Sequence, residues 1–294
     1  MKPMYAGYET QAELDAAYDV ENSVPDFMIY AHKFMADSAA AREALSPRLK
    51  VPYGPTVMEN LDLFLPKKTD GKAPILIFVH GGYWKSLDAG VFSLMATGPV
   101  AAGMCVVNVT YALCPEVDVG EIVRQVRAAV AWTVRNAESF GGDPDRIIIS
   151  GHSAGGHLTA TTLLTDWDQY GLPADTLKGG FAISGLFDLE PLACSFLQPA
   201  LRLTAETIRR HSPLRNIAPV ATPLAVTWGS AEPDAFSGQS KTFVQAWAAA
   251  GNRCGVFTLP GANHFEVLEG FKSADGIMTR TVLDLLDGKL PAAS

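Results

Sequence analysis

The five residues Gly151-His152-Ser153-Ala154-Gly155 constrain this chain more than any other feature, because they stand between a strand and a helix. Residues 146–150 before them form a short apolar run of strand type, and residues 155–166 after them are rich in Ala, Leu and Thr at helical length. A chain that passes from strand to helix so abruptly leaves little room for side chains beside the turn. Glycines two positions either side of Ser153 relieve that crowding and let the serine oxygen project into a cleft. The start of the helix adds positive potential and a free backbone donor at the same point. A structural turn, or a binding protein that lacks chemistry, is the alternative reading; the flanking elements favour a nucleophile.

The rest of the chain supplies a matching framework. Strand candidates at 75–79 and 104–109 precede a helix candidate at 120–140, in which Ile122, Val126, Val130 and Val134 repeat at helical spacing. Further strands are expected at 179–184, 224–228 and 256–259, with helices at 236–250 and 274–286. This alternation predicts an α/β fold with a predominantly parallel sheet covered by helices on both faces. Residues 59–65 alternate like a half-buried strand, whereas Pro47, Pro52, Gly54 and Pro55 predict a break in regular structure before them. Residues 25–45 are helix-like, with Phe27, Tyr30, Phe34 and Met35 near one side. That helix is either a cap over a pocket or a helix packed on the domain edge. The division expected is a small N-terminal cap or accessory segment at 1–55 and a catalytic domain at 56–290.

A second glycine-rich turn, His80-Gly81-Gly82-Tyr83-Trp84, follows the strand at 75–79. Its glycines let the backbone turn inward, so the amides of Gly82 and Tyr83 are expected to join that of Ala154 as an oxyanion hole. An ordinary glycine-rich connection is the alternative. Gly81, Tyr83 and Trp84 are expected to contact substrate, with the two aromatic rings either walling a pocket or packing beneath the loop.

Where a serine stands on such a turn, its partners follow in the order acid, then histidine. His264 follows a strand and precedes the last helix, which makes it the expected base. His157 lies on the helix after Ser153, His211 precedes the acid-bearing loop, and His32 falls in the accessory segment, so these are expected to be structural or surface residues. His80 precedes Ser153 and belongs to the geometry of its loop, and Asp143 and Asp145 are excluded as the acid for the same reason of order. After the strand at 224–228 both Glu232 and Asp234 qualify, and periodicity does not choose between them.

Composition narrows the alternatives. With 48% of its 294 residues hydrophobic, the chain can bury a core without disulfides. A net charge of -8 gives no general attraction to phosphate backbones, so no nucleic-acid partner is expected. Cys105, Cys114, Cys194 and Cys254 are scattered, with neither zinc-knuckle nor disulfide-framework spacing. Residues 1–19 lack the apolar core of an export signal, and no segment has the apolar run of a membrane span, so no membrane association and a cytoplasmic location are expected. No oligomer interface can be read from the residues, and a homodimer stays open.

Four stretches resemble the kynurenine formamidase (arylformamidase) family, a branch of the α/β hydrolases near the hormone-sensitive-lipase-like esterases. They are His80 to Trp84, Gly151 to Leu158, Ser184-Gly185-Leu186-Phe187-Asp188-Leu189-Glu190-Pro191-Leu192, and Asn263-His264-Phe265-Glu266. The resemblance runs from about residue 14 to about residue 286 and includes Val24-Pro25-Asp26. It implies the α/β-hydrolase fold and hydrolysis of N-formyl-L-kynurenine to L-kynurenine and formate, with no metal and no organic cofactor. It also implies Glu232 rather than Asp234 as the acid, because the family places a carboxylate seven residues before a Gln-Ser pair, here Gln239-Ser240. Residues 194–200 depart from the family, whose members commonly carry an Asn shortly after the Asp-Leu-Glu-Pro segment. If that stretch closes the pocket, substrate choice differs, and a broader carboxylesterase, amidase or carbamate hydrolase with the same triad is the alternative. A non-catalytic small-molecule receptor is the alternative from a different class. The expected partner in each case is a small molecule, an amide or ester where the chain is an enzyme.

Overall fold

The computed structural model describes residue 5, residues 7–68 and residues 71–292. Residues 1–4 and 6, part of the stretch expected to lack an export signal, lie outside the described residues. Eight strands form one sheet: β1 (Arg48–Pro52), β2 (Asn60–Phe64), β3 (Ala73–Val79), β4 (Cys105–Val109), β5 (Gly142–His152), β6 (Gly179–Ile183), β7 (Leu224–Gly229) and β8 (Cys254–Leu259). Their spatial order is β1-β2-β4-β3-β5-β6-β7-β8, and β4, β3, β5, β6, β7 and β8 run parallel. β2 and β1 are added at one edge, each antiparallel to its neighbour.

The central parallel strands β3, β4 and β6 are buried almost throughout, as is β5 from residue 147 onward, because both faces are covered. On β3, Ile75, Ile77 and Val79 face one half of the core and Leu76 and Phe78 the other. The helices, in chain order, are α1 (Gln11–Tyr18), α2 (Phe27–Leu45), α3 (Thr97–Ala101), α4 (Val119–Asn136), α5 (Ala154–Leu163), α6 (Glu190–Ala193), α7 (Gln198–Leu201), α8 (Ala205–His211), α9 (Asp234–Ala249) and α10 (Ile277–Leu286). Ile122 and Val126 of α4, Leu158 of α5 and Trp247 of α9 cover the first face, and Val282 and Leu285 of α10 cover the second. Asp118 caps α4 by accepting from the Glu121 amide at 2.8 Å.

The order of strands fixes where a ligand site can form. β3 leads to β4 on one side, and α4 carries the chain back past β3 to β5 on the other. Connections therefore leave the carboxyl ends of β3 and β5 in opposite directions, and the crevice between them is where parallel α/β sheets hold ligands. The Gly81-Gly82 turn follows β3 and Ser153 follows β5, with Val79 and Gly151 in register.

Two N-terminal elements differ from the sequence reading. Arg48–Pro52 is a strand rather than a break, paired Val51 to Leu61 and Pro52 to Asn60. An edge strand needs donors on one side only, which admits Pro52 at its end. Helix α1 is set by a capping box in which the Thr10 side chain and the Glu13 side chain each satisfy the other's backbone. α2 begins one residue after Asp26, whose side chain accepts from the Met28 amide at 2.9 Å. It lies along the 3₁₀ segment Ala89–Ala96, where Ser38 Oγ donates to the Val91 carbonyl at 2.6 Å. Among the described residues no helix is long and apolar enough to cross a membrane.

Candidate active site

Ser153 stands between β5 and α5 with φ 57° and ψ -118°, a conformation unfavourable for a residue with a Cβ. Such a residue costs about 1–3 kcal/mol and persists only where its surroundings hold it. Here its amide donates to the Ile183 carbonyl at 2.8 Å, and its own carbonyl accepts from Gly156 at 2.9 Å. The turn also depends on Gly155, where a Cβ would lie 1.9 Å from the Val79 carbonyl oxygen.

His264 and Glu232 form a buried pair, with Nδ1 of the imidazole 2.8 Å from Oε2 of the carboxylate. The other carboxylate oxygen accepts from Ser184 Oγ at 2.5 Å and from the Gly229 amide at 2.7 Å. An ionised carboxylate only accepts, so the imidazole proton belongs on Nδ1 and Nε2 keeps its lone pair. Ser153 and His264 line the same cavity. Asp234, by contrast, is exposed in the first turn of α9.

The spacing between Glu232 and Gln239 has a physical basis. Gln239 Oε1 accepts from the amides of Phe187 and Asp188 at 2.6 and 2.7 Å, and its Nε2 donates to the Asp188 carbonyl at 3.0 Å. This holds the loop after β6, and that loop carries Ser184. One loop residue thus steadies the carboxylate while Gln239, in the second turn of α9, steadies the loop.

The turn after β3 has three successive residues of positive φ: Gly82 at 107°, Tyr83 at 51° and Trp84 at 55°. Glycine is required at 82, since a Cβ there would lie 2.3 Å from the Ser86 carbonyl oxygen. Gly81, Gly82 and Tyr83 line the cavity. Tyr83 is anchored by its hydroxyl, which donates to the Tyr18 carbonyl at 2.5 Å. Ala154 is the first residue of α5, whose opening amides have no carbonyl partner within the helix. The expectation that Trp84 contacts substrate is corrected. Its indole is fully buried, edge-on to His157 with ring centroids 4.9 Å apart, and does not reach the cavity wall. Beneath the loop its apolar area is removed from water.

The cavity beside Ser153 has a volume of about 200 Å³. Phe27, Tyr30, Phe34 and Met35, the side of α2 singled out from the sequence, form part of its wall. His152 was not singled out, yet it lines the cavity and packs on His264 with centroids 4.4 Å apart. Burial, then the neighbouring His264, holds its pKa well below the usual 6.5. Burial likewise lowers His80 to about 4 and His157 to about 3. His80 stacks on Tyr111, His157 Nε2 meets the His211 carbonyl at 2.6 Å, and both are packed as structural residues. Residues 194–200 do not line the cavity; they dock on α1, where Gln11 Nε2 donates to the Cys194 carbonyl at 2.9 Å.

A strained serine, a buried imidazole–carboxylate pair and a backbone turn meeting at one apolar cavity are equipped for attack on an acyl carbon. The family model BD-FAE matches residues 61–176. The kynurenine formamidase of Danio rerio is 30% identical over 285 residues, covering 93% of this chain and 96% of its own. The chain belongs to the kynurenine formamidase family. It is an α/β hydrolase. A crystal structure from Silicibacter sp. TM1040, provisionally described as a thioesterase, superposes with a TM-score of 0.81 at 30% identity, covering 92% of this chain and 99% of that one. An esterase of Pyrobaculum calidifontis shares the fold with a TM-score of 0.70 at 15% identity, covering 95% and 98%.

Proposed function

We propose that this family member hydrolyses aryl formamides such as N-formyl-L-kynurenine through an acyl-enzyme, with Ser153 as nucleophile, His264 as base and Glu232 as the acid. The buried Glu232–His264 pair carries the reading, because it orients the imidazole with Nε2 free to take a proton. His264 accepts the Ser153 proton as Oγ attacks the formyl carbon, and the carbonyl oxygen becomes an anion near the amides of Gly82, Tyr83 and Ala154. The C–N bond then breaks, protonated His264 gives its proton to the departing arylamine, and a formyl ester of Ser153 remains. Water, deprotonated by His264, attacks that ester and releases formate. Loss of one oxyanion donor costs about 3 kcal/mol of transition-state stabilisation. Residues 1–55 are read as the accessory segment: its helix α2 closes the cavity and its last element, β1, adds to the edge of the catalytic sheet.

An esterase with the same triad is the second reading, favoured by the apolar cavity and by the thioesterase description of the Silicibacter protein. A fluorophosphonate should label Ser153 and fail to label Ser153→Ala; an unlabelled wild-type chain points to a receptor instead. Formate release from formanilides should exceed turnover of the matching acetanilides and longer esters. Equal or faster cleavage of long-chain esters overturns the formamidase reading.

A further inference from the structure

The wall around Ser153 is made largely of carbon, contributed by Phe27, Tyr30, Phe34, Leu87, Phe92 and Phe265. Among the described residues that line it none is Lys or Arg, and Glu21, exposed at its rim, is the charged side chain. His152 supplies no cation near neutral pH, since burial and His264 keep its imidazole unprotonated.

A leaving group with a carboxylate must therefore bury an anion against aromatic carbon or hold it beside Glu21, and both are unfavourable. An uncharged ring meets neither penalty. An ammonium group is attracted by Glu21 and by the faces of the aromatic rings.

Resting on the formamidase reading above, we infer that the site selects aryl formamides whose leaving amine is uncharged or bears an ammonium group, and discriminates against a carboxylate tail, with Glu21 as a specificity-determining residue. N-formyl-L-kynurenine carries both charges and ranks as an intermediate substrate. The same formamide without its carboxylate ranks above it.

The test uses the full chain with 2-acylformanilides that differ only in the tail: neutral, ammonium, carboxylate and zwitterion. A parallel set of phenyl acetates carries the same tails. For the wild type, kcat/KM should fall roughly tenfold or more from the neutral to the carboxylate tail. Glu21→Gln should bring the ammonium-to-neutral ratio towards one, and Glu21→Lys should raise the carboxylate-to-neutral ratio several-fold. A carboxylate substrate that matches the neutral one, or a ratio indifferent to Glu21→Lys, overturns the inference. If every formanilide is inert while the acetates are cleaved, the formamidase reading fails, and the order of tails among the acetates still decides the charge selection.

Discussion

The Tyr30 hydroxyl accepts from Asn263 Nδ2 at 2.8 Å, which ties helix α2 to the residue immediately before His264. The Tyr30 ring also stacks on Phe265, immediately after His264, with centroids 5.1 Å apart. Tyr30 thus grips both neighbours of the proposed base while lining the cavity. Tyr30→Phe keeps the ring and loses the hydrogen bond, so kcat should fall about fivefold, the size of one such bond, with KM little changed. Tyr30→Ala should also raise KM. Steady-state kinetics on one formanilide checks both; a Tyr30→Phe variant that loses melting temperature but no kcat makes the tie purely structural.

Glu232→Gln keeps the shape of the side chain and removes its charge, and should lower kcat by roughly a thousandfold or more, because the imidazole loses its orientation and the imidazolium its counter-charge. Asp234→Asn, at an exposed helix start, should stay within about twofold, the range of a solvated surface charge. The two purified variants should be compared on an activated ester and on a formanilide, with circular dichroism to establish folding. Near-normal Glu232→Gln beside a collapse in Asp234→Asn would reassign the acid.

Trp84 should act on stability and leave substrate choice alone. Trp84→Ala empties a fully buried site and should cost about 3–5 kcal/mol of unfolding free energy. Trp84→Phe should cost less and keep the ratio of KM values between a small and a large substrate. Urea unfolding and paired kinetics measure the two effects, and a changed KM ratio in Trp84→Phe would return the indole to the substrate site.

Acid should weaken the fold before its carboxylates titrate. His80 and His157 are buried neutral, with pKa values lowered from 6.5 to about 4 and about 3, and His152 is lowered too. The unfolded chain binds protons at these residues from about pH 6.5 downward while the folded chain does not, so their stability is present above that pH and is lost as pH falls. By about pH 5 each can have contributed up to about 2 kcal/mol of loss. Glu59 and Glu269, lowered from 4.5, lose theirs only in more acid solution. The urea midpoint should drop between about pH 7.5 and about pH 5; a constant midpoint would show that the buried histidines do not control it.

Much of this arrangement was legible because its parts obey local rules. Inner parallel strands show as apolar runs, Ile75 to Val79 and Ile147 to Ile149 among them, β2 as an alternation, and the turn at Ser153 as glycines at fixed offsets. β1 was not legible, since an exposed edge strand shows no alternation and its prolines read as a break. α1 carries a local signal of its own, the Thr10 to Glu13 capping box. Glu232 and Asp234 are equivalent by position along the chain; only the burial of one carboxylate against His264 separates them, and burial is a property of the assembled fold. Trp84 and the neighbouring Tyr83 share a loop, an aromatic character and positive φ, yet only Tyr83 lines the cavity, a difference set by packing in the assembled fold. The packing of His152 on His264 joins β5 to the loop after β8, a contact between distant parts of the chain.

A helix that both walls the cavity and braces the proposed base makes α2 an exchangeable cassette with two kinds of position. Phe27, Phe34 and Met35 face the cavity and are open to redesign for leaving groups of another size. Tyr30 and Lys33, which reach Asn263 and Glu269, are its fasteners, and a grafted helix that lacks them should bring a new preference together with a slower enzyme. Libraries built on this scaffold therefore do best to hold those two residues constant and vary the three around them.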